Sequence, residues 1–96
     1  MTYRFLPPAA REVKEAARYY EERVPGLGFE FISEVRAVIR RILAHPQAWS
    51  PLDEEFRWCR TSRFPYGVIY AVEGADILVV SVMHLHRHPE TWRKNL

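Results

Sequence analysis

The chain has 96 residues, of which 48% are hydrophobic and 14% aromatic, and this fits one globular domain with a modest core. Its net charge of +2 excludes nucleic-acid binding driven by overall charge alone. A single cysteine, Cys59, excludes an internal disulfide and indicates a reducing compartment, so we expect a cytoplasmic protein. No secretory signal is expected at the N-terminus, and no apolar run reaches the roughly 18 residues of a membrane-spanning helix.

The N-terminal half predicts one short strand and two helices. Tyr3–Leu6 alternates as a strand does, and two prolines follow it. Apolar residues three and four positions apart predict a helix from Ala9 to about Val24, which Pro25-Gly26 ends. The same spacing predicts a second helix from Leu27 to about Ala44, ended by His45-Pro46. Because the link between them is short, we expect an antiparallel αα-hairpin.

The helix surfaces differ in character. Charged residues such as Glu12 occupy the remaining faces of the first helix and are typical of a solvated surface. The second helix begins with Phe29, Phe31 and Ile32 and is apolar on more than one side. That surplus fits either the core or an apolar surface that binds a partner.

The C-terminal half predicts three strands, Phe56–Thr61, Tyr66–Val72 and Ile77–His86. The last two are apolar on both faces, which is typical of central strands whose second face is partly covered. Alternation places a set of residues on one face of the third strand: Leu78, Val80, Val82, His84 and His86. We therefore predict an α+β fold: an N-terminal strand and an antiparallel αα-hairpin packed on a mostly antiparallel sheet of three to four strands, in a single domain spanning residues 1–96.

Three single residues carry smaller predictions. Trp49 is expected to anchor the loop from Pro46 to Glu55 against the domain. Gly67 indicates a bulge or a close approach by another group. Trp92 is expected to fold back over the sheet edge.

The basic residues are concentrated in the C-terminal part. From Phe56 to Leu96 the chain has six cations and three anions, whereas the first 55 residues have eight cations and nine anions. The predicted strand ends bring a cationic set to one end of the sheet: Arg57, Arg60, Arg63, His84, His86 and Arg87. Arginine forks bind phosphate or carboxylate groups, although pairing with Asp53, Glu54 and Glu55 is an equally open alternative.

The histidines allow several roles. His84, His86 and His88 alternate as metal ligands can, but Arg87 lies among them and no acidic residue or cysteine completes the set, so we expect no metal. An acid–base role for one histidine stays open beside structural hydrogen bonding. A pair of Cys59 with a histidine for nucleophilic catalysis has no supporting signature.

Two segments of the C-terminal half read FPYGVIY at residues 64–70 and VMHLHRHPETW at residues 82–92. They resemble the RelE/ParE superfamily of toxins from bacterial type II toxin–antitoxin systems. Tyr19-Tyr20-Glu21 and Leu27-Gly28 are similar to the helical hairpin of the same group. The resemblance implies a helical hairpin on an antiparallel sheet and no cofactor. It also implies a cognate antitoxin that wraps and neutralises the toxin, with operator DNA bound indirectly through the antitoxin, and no membrane.

The superfamily has two mechanisms. The ParE branch inhibits DNA gyrase by protein contact, whereas the RelE branch cleaves mRNA in the ribosomal A site, often with a C-terminal tyrosine. This chain has Trp92, no tyrosine after Tyr70, and only two lysines, so it resembles the ParE branch more.

Each alternative assigns the candidate residues differently. For a ParE-like toxin the cationic set is a surface for the target or antitoxin, and Phe29, Phe31 and Ile32 form an apolar helix surface for the partner. For a nuclease, catalysis would be carried by Arg60, Arg63, His84 and Arg87. A degenerate member of the superfamily would bind its antitoxin and have no toxicity.

Overall fold

Two helices pack on one face of a five-stranded sheet. The computed structural model describes all residues, Met1–Leu96. Its elements are β1 (Thr2–Phe5), α1 (Pro7–Arg23), α2 (Leu27–Ala44), β2 (Ser50–Pro51), β3 (Phe56–Arg60), β4 (Tyr66–Glu73), β5 (Asp76–His84) and a C-terminal 3-10 helix (Thr91–Asn95). The strand order is β1-β5-β4-β3-β2, with β1 parallel to β5 and all other pairs antiparallel. The predicted α+β class is therefore confirmed, and neither helix has the length and apolarity to span a membrane.

The sheet has more strands than the predicted three to four because a two-residue strand lies inside the predicted loop. Ser50 and Pro51 pair with Trp58 and Arg57 on the edge of the sheet, a position that tolerates proline. Two residues are too few for the alternation that identifies a strand in a sequence. Trp49 anchors this segment as predicted, because its indole N–H donates to the Arg41 carbonyl over 3.3 Å.

The helical hairpin is held tightly at its turn. A Cβ atom on Gly28 would lie 2.6 Å from the carbonyl oxygen of Ala17, so the two helices approach more closely here than any side chain allows. The Glu21 carboxylate accepts hydrogen bonds from the backbone N–H groups of Gly26 and Gly28 and caps the start of α2. Both predicted helices and their antiparallel packing are thus present.

Apolar residues cover both faces of the sheet. The larger core lies between the helices and the sheet, and Phe31, Val38, Ile42, Val68 and Tyr70 are among its most buried residues. A smaller cluster lies on the opposite face, where Trp92 packs on residues of β4 and β5. Coverage of the second face was predicted. Trp92, however, covers that face and not the sheet edge.

A β-bulge changes which residues of β5 face the helices. Ile69 pairs with Ser81 but its neighbour Tyr70 pairs with Val79, so Val80 is an extra residue in β5. Before the bulge Leu78 and Val80 lie on the outer face, and after it Val82 packs with the helices. The predicted common face of Leu78, Val80, Val82 and His84 is therefore wrong, because one inserted residue inverts the alternation.

Candidate functional site

His84 lies in a cleft between α1 and the end of the sheet. This His84 cleft has a volume of about 190 Å³. It is lined by Glu12, Glu15, Ala16, Tyr19, Tyr66, Val82, Met83, His84 and Arg87. The imidazole of His84 lies 5.2 Å from the ring of Tyr66 and 4.8 Å from that of His86, measured between centroids. The strand ends at His84, so His86 belongs to the following turn.

The chemistry of His84 is that of a neutral hydrogen-bond donor. Burial lowers the pKa of His84, and the positive charges of His86 and Arg87 lower it further. Its Nδ1 accepts the backbone N–H of His86 over 3.0 Å, so the proton of the neutral ring sits on Nε2. Burial also raises the pKa of the Tyr66 hydroxyl, with the neighbouring charge of Arg87 opposing that change. The basic nitrogen of His84 is therefore engaged by the backbone, and its surroundings disfavour a second proton on the ring.

A second cavity, the outer pocket, lies on the sheet face opposite the helices. Its volume is about 360 Å³. It is lined by Leu52, Trp58, Gly67, Ile69, Met83, Leu85, Arg87, Pro89 and Trp92. Arg87 is the single ionisable residue of this lining, and it borders the His84 cleft as well. The outer pocket is therefore an apolar, aromatic hollow with one guanidinium at its rim.

Gly67 gives the outer pocket its shape. A Cβ atom at Gly67 would lie 2.8 Å from Cε3 of Trp58 and 3.3 Å from Cδ2 of Leu85. The indole of Trp58 therefore lies against the β4 backbone at Gly67. The sequence prediction of a close approach at Gly67 is confirmed, and the approaching group is this indole.

Two of the predicted cationic residues are used within the fold. Arg57 donates from Nη1 to the carbonyl oxygen of Trp49 over 2.7 Å and fixes the segment before β2. Arg63 forms ion pairs with Glu30 at 3.1 Å and Glu34 at 2.7 Å, which tie the β3–β4 loop to α2. The predicted convergence of all six cationic residues is therefore wrong, because acceptors from other segments hold these two.

The remaining members of the set lie at the end of the sheet. Arg60 is exposed and stands opposite Gly67 in the register of β3 and β4, on the face of the outer pocket. Arg87 is exposed between the outer pocket and the His84 cleft, and His86 is exposed beside it. Arg60, His86 and Arg87 are free of ion pairs. No three His, Cys, Asp or Glu side chains lie close enough together to hold a metal ion.

The three residues of the predicted apolar helix surface, Phe29, Phe31 and Ile32, do not lie together in the fold. Phe29 is 74% exposed and Ile32 half-buried, and both border a groove of about 300 Å³ between the helices. Phe31 is fully buried and contacts the rings of Tyr20, Phe64 and Tyr66. Phe31 is therefore a core residue, and its assignment to a partner surface is wrong. Successive helix positions point about 100° apart, which separates it from Phe29.

Two features of these surfaces were missed from the sequence. Trp58 lies in the predicted strand Phe56–Thr61, and the sequence did not show that it also forms one wall of the outer pocket. The helices also carry cations without ion pairs, which could not be recognised from the nearly balanced charge count of the first 55 residues. The signal for Trp58 is the strand glycine Gly67, which lies diagonally across from it, two residues before its partner Ile69.

The comparisons with known proteins identify the family of this chain. The family model for the ParE toxin of the type II toxin–antitoxin system parDE matches residues 3–89. The chain belongs to the ParE toxin family. The match includes both helices, β1 from Tyr3 onward, the other four strands and the first residues after β5. This toxin is therefore a member of a type II toxin–antitoxin family, as the resemblance of residues 64–70 and 82–92 implied.

A solved structure has the same fold. A chain from the chromosomal ParDE toxin–antitoxin system of P. aeruginosa superimposes with a TM-score of 0.77 at 14% sequence identity. The alignment covers 90% of this toxin and 97% of that chain. Comparison with curated protein sequences gives no match.

Proposed function

We propose that this toxin inhibits DNA gyrase by protein contact in the cytoplasm and is neutralised by a cognate antitoxin. The observation that carries the proposal is the outer pocket beside Arg60 and Arg87, within a chain of the ParE toxin family. It combines an apolar, aromatic hollow with cations at its border, which is the composition of a binding hot spot.

The pocket chemistry supports contact more than catalysis. Cleavage of RNA needs a base for the 2′-hydroxyl, an acid for the leaving oxygen and a cation for the phosphate. The outer pocket supplies only the cation, Arg87. His84 lies on the other face, in the His84 cleft, where its Nδ1 accepts a backbone hydrogen bond. Arg63 is turned away toward α2. Of the four residues assigned to a nuclease, only His84 and Arg87 border the same cavity, and Arg60 and Arg63 lie outside it.

The outer pocket and the two arginines beside it have the features of a site that anchors a partner protein. The half-buried indole of Trp58 presents an aromatic surface at low cost in side-chain entropy, and the buried Trp92 lines the pocket beside it. Arg60 and Arg87 stand free to pair with carboxylates of a target protein. In this proposal the target inserts an apolar side chain into the outer pocket and places acidic groups against these two arginines. Operator DNA is bound by the complex through the antitoxin.

A gyrase supercoiling assay tests this function. Wild-type toxin should block supercoiling of relaxed plasmid at saturating concentration, and Arg60→Glu with Arg87→Glu should abolish the block. The matched control is Arg4→Glu with Arg23→Glu, which makes the same charge change at two exposed arginines away from the pocket. Normal supercoiling at saturating wild-type toxin overturns the proposal.

The same protein in a translation assay separates the alternatives. New 5′ ends in a translated mRNA, with unaffected supercoiling, would indicate the ribosomal nuclease. Absence of both effects, together with normal growth on expression without antitoxin, would indicate a member that only binds its antitoxin.

A further inference from the structure

The 3-10 helix Thr91–Asn95 carries Trp92, which lines the outer pocket from a fully buried position. The indole packs on the sheet beside Phe56, whose ring lies 4.8 Å away between centroids. The N–H group of this indole is buried and has no hydrogen-bond partner. A short 3-10 helix has poor hydrogen-bond geometry, and an unpaired buried N–H disfavours burial. The place of Trp92 in the pocket wall therefore depends on contacts that neighbouring residues of the same helix make.

Asn95 fastens the 3-10 helix to α1 and to the edge of the sheet. Its side-chain amide donates to Oε1 of Glu12 over 3.1 Å and to the carbonyl oxygen of Val80 over 3.0 Å. The bulge at Val80 and the end of β1 at Phe5 leave this part of the edge of β5 without a neighbouring strand. The amide of Asn95 can therefore reach both acceptors, and it joins α1, β5 and the 3-10 helix at one point.

Arg93 fastens the same helix to the loop before β3. Its Nη2 donates to Oδ2 of Asp53 over 3.2 Å, and its Cζ lies 4.4 Å from the ring centroid of Trp92. Asp53 is itself fixed, because its other oxygen accepts two backbone N–H groups of its own loop. The preceding residue of that loop, Leu52, lines the outer pocket. Since the pair of Arg93 and Asp53 is partly exposed, it is the weaker of the two anchors.

We propose that Asn95 and Arg93 are positioning residues, which hold the indole of Trp92 in the wall of the outer pocket where the target protein docks. We call the two anchors, Asn95 with Glu12 and Arg93 with Asp53, the clasp. Neither Asn95 nor Arg93 lines the outer pocket, so both act through Trp92. A pocket wall that is ordered before the target arrives lowers the entropy cost of binding. The inference rests on the proposed docking at the outer pocket and adds the residues that shape it.

Exchange of the Trp92 indole proton with deuterium, followed by proton NMR, measures the clasp directly. The Trp92 signal is assigned by its absence in Trp92→Phe. Asn95→Ala removes both hydrogen bonds of the stronger anchor and should speed the exchange at least about tenfold. Arg93→Gln removes the weaker anchor and should speed it about two- to fivefold. Leu96→Ala, at the exposed neighbouring residue, should leave the rate within about twofold.

Inhibition of gyrase measures the consequence for the target. Asn95→Ala should need at least about threefold more toxin than wild type for half-inhibition of supercoiling, because binding must then order a freed indole. The matched control for lost overall stability is Ile39→Val, which shortens a buried side chain of the helical core away from the clasp. Half-inhibition by this variant should stay within about twofold of wild type. Urea unfolding measures how much stability each variant has lost.

Three results overturn the inference. The first is an unchanged exchange rate of the Trp92 indole proton in Asn95→Ala. The second is faster exchange in that variant with unchanged half-inhibition of gyrase. The third is an equal loss of inhibition in Ile39→Val, which would show an effect of overall stability. A wild-type toxin without effect on gyrase rejects the proposed function, whereas the exchange rates still show whether the clasp holds Trp92, so the two failures are distinguishable.

Discussion

The carboxylate of Glu12, in the middle of α1, accepts a hydrogen bond from the backbone N–H of Val82 over 3.1 Å. Strand β1 ends at Phe5, so the edge of β5 beyond Val79 has no neighbouring strand. Glu12 accepts the hydrogen bond from this free N–H group in place of a carbonyl group of a neighbouring strand. The same oxygen also accepts from the hydroxyl of Ser81 at 2.9 Å and the amide of Asn95 at 3.1 Å.

Glu12→Gln should therefore destabilise the toxin. The amide keeps the acceptor oxygen but loses the charge that strengthens three converging hydrogen bonds, one of them from the buried hydroxyl of Ser81. We expect a loss of about 1–3 kcal/mol in the free energy of unfolding, measured by urea denaturation. Glu22→Gln on the exposed face of the same helix should change it by less than about 0.5 kcal/mol. Equal effects of the two substitutions would contradict this role of Glu12.

Gly67→Ala should cost stability through the indole of Trp58. The added methyl group would stand 2.8 Å from Cε3, so the indole must move and the outer pocket must change shape. We expect a loss of about 1–3 kcal/mol. In a double-mutant cycle measured by urea unfolding, Gly67→Ala should cost less when Trp58 is already alanine. The same cost in both backgrounds would show that Trp58 is not the obstacle.

Acid should unfold the toxin partly through Glu34. Burial opposes ionisation of this carboxyl, but the N–H of Arg63, its guanidinium and the N–H of Ser62 donate to it and together lower its pKa. The unfolded pKa is about 4.3. Because the folded pKa lies below this value, Glu34 contributes its full share to the free energy of unfolding above the unfolded pKa. That contribution is lost as the pH falls through the folded pKa.

Glu34→Gln tests this linkage. At pH 7 the variant should be less stable by about 1–2 kcal/mol, because the amide replaces a charged acceptor. Toward pH 3 the two unfolding free energies should converge, since wild-type Glu34 is then protonated. Parallel curves across this range would contradict the assignment.

Cys59 should be unreactive in the folded toxin. The side chain is 5% exposed, and burial raises the pKa of its thiol, with the charge of Arg41 opposing that rise. Since the thiolate is the reactive species, labelling by a disulfide reagent at pH 8 should be slower by at least about tenfold than in unfolding concentrations of urea. Equal rates in the two conditions would contradict the buried position.

The sequence predicted the regular elements well because hydrophobic spacing determines them locally. Both helices, β1 and β3 to β5 lie where their patterns indicated. Strand β3 alternates regularly, with Trp58 outward and Cys59 toward the helices. The face change in β5 was not predictable from alternation, because the extra residue Val80 is visible only in the pairing with β4.

The site was harder to predict because the sequence shows which residues are charged but not which groups their side chains meet in the fold. Glu12 has the spacing of a solvated helix residue, and nothing local shows that an unpaired strand edge meets it. Arg57 and Arg63 look like free cations until the carbonyl of Trp49 and the carboxylate of Glu34 are brought beside them. The family resemblance of residues 64–70 and 82–92 indicated the end of the sheet where the proposed binding surface lies. The division between the outer pocket and the His84 cleft came only from the fold.

The supercoiling assay with paired charge reversals tests the central claim most directly. Purified toxin at saturating concentration should stop gyrase from supercoiling relaxed plasmid. Arg60→Glu with Arg87→Glu should restore supercoiling, whereas Arg4→Glu with Arg23→Glu should not. Full supercoiling in the presence of wild-type toxin, or equal inhibition by the Arg60/Arg87 variant, would contradict gyrase binding through the outer pocket.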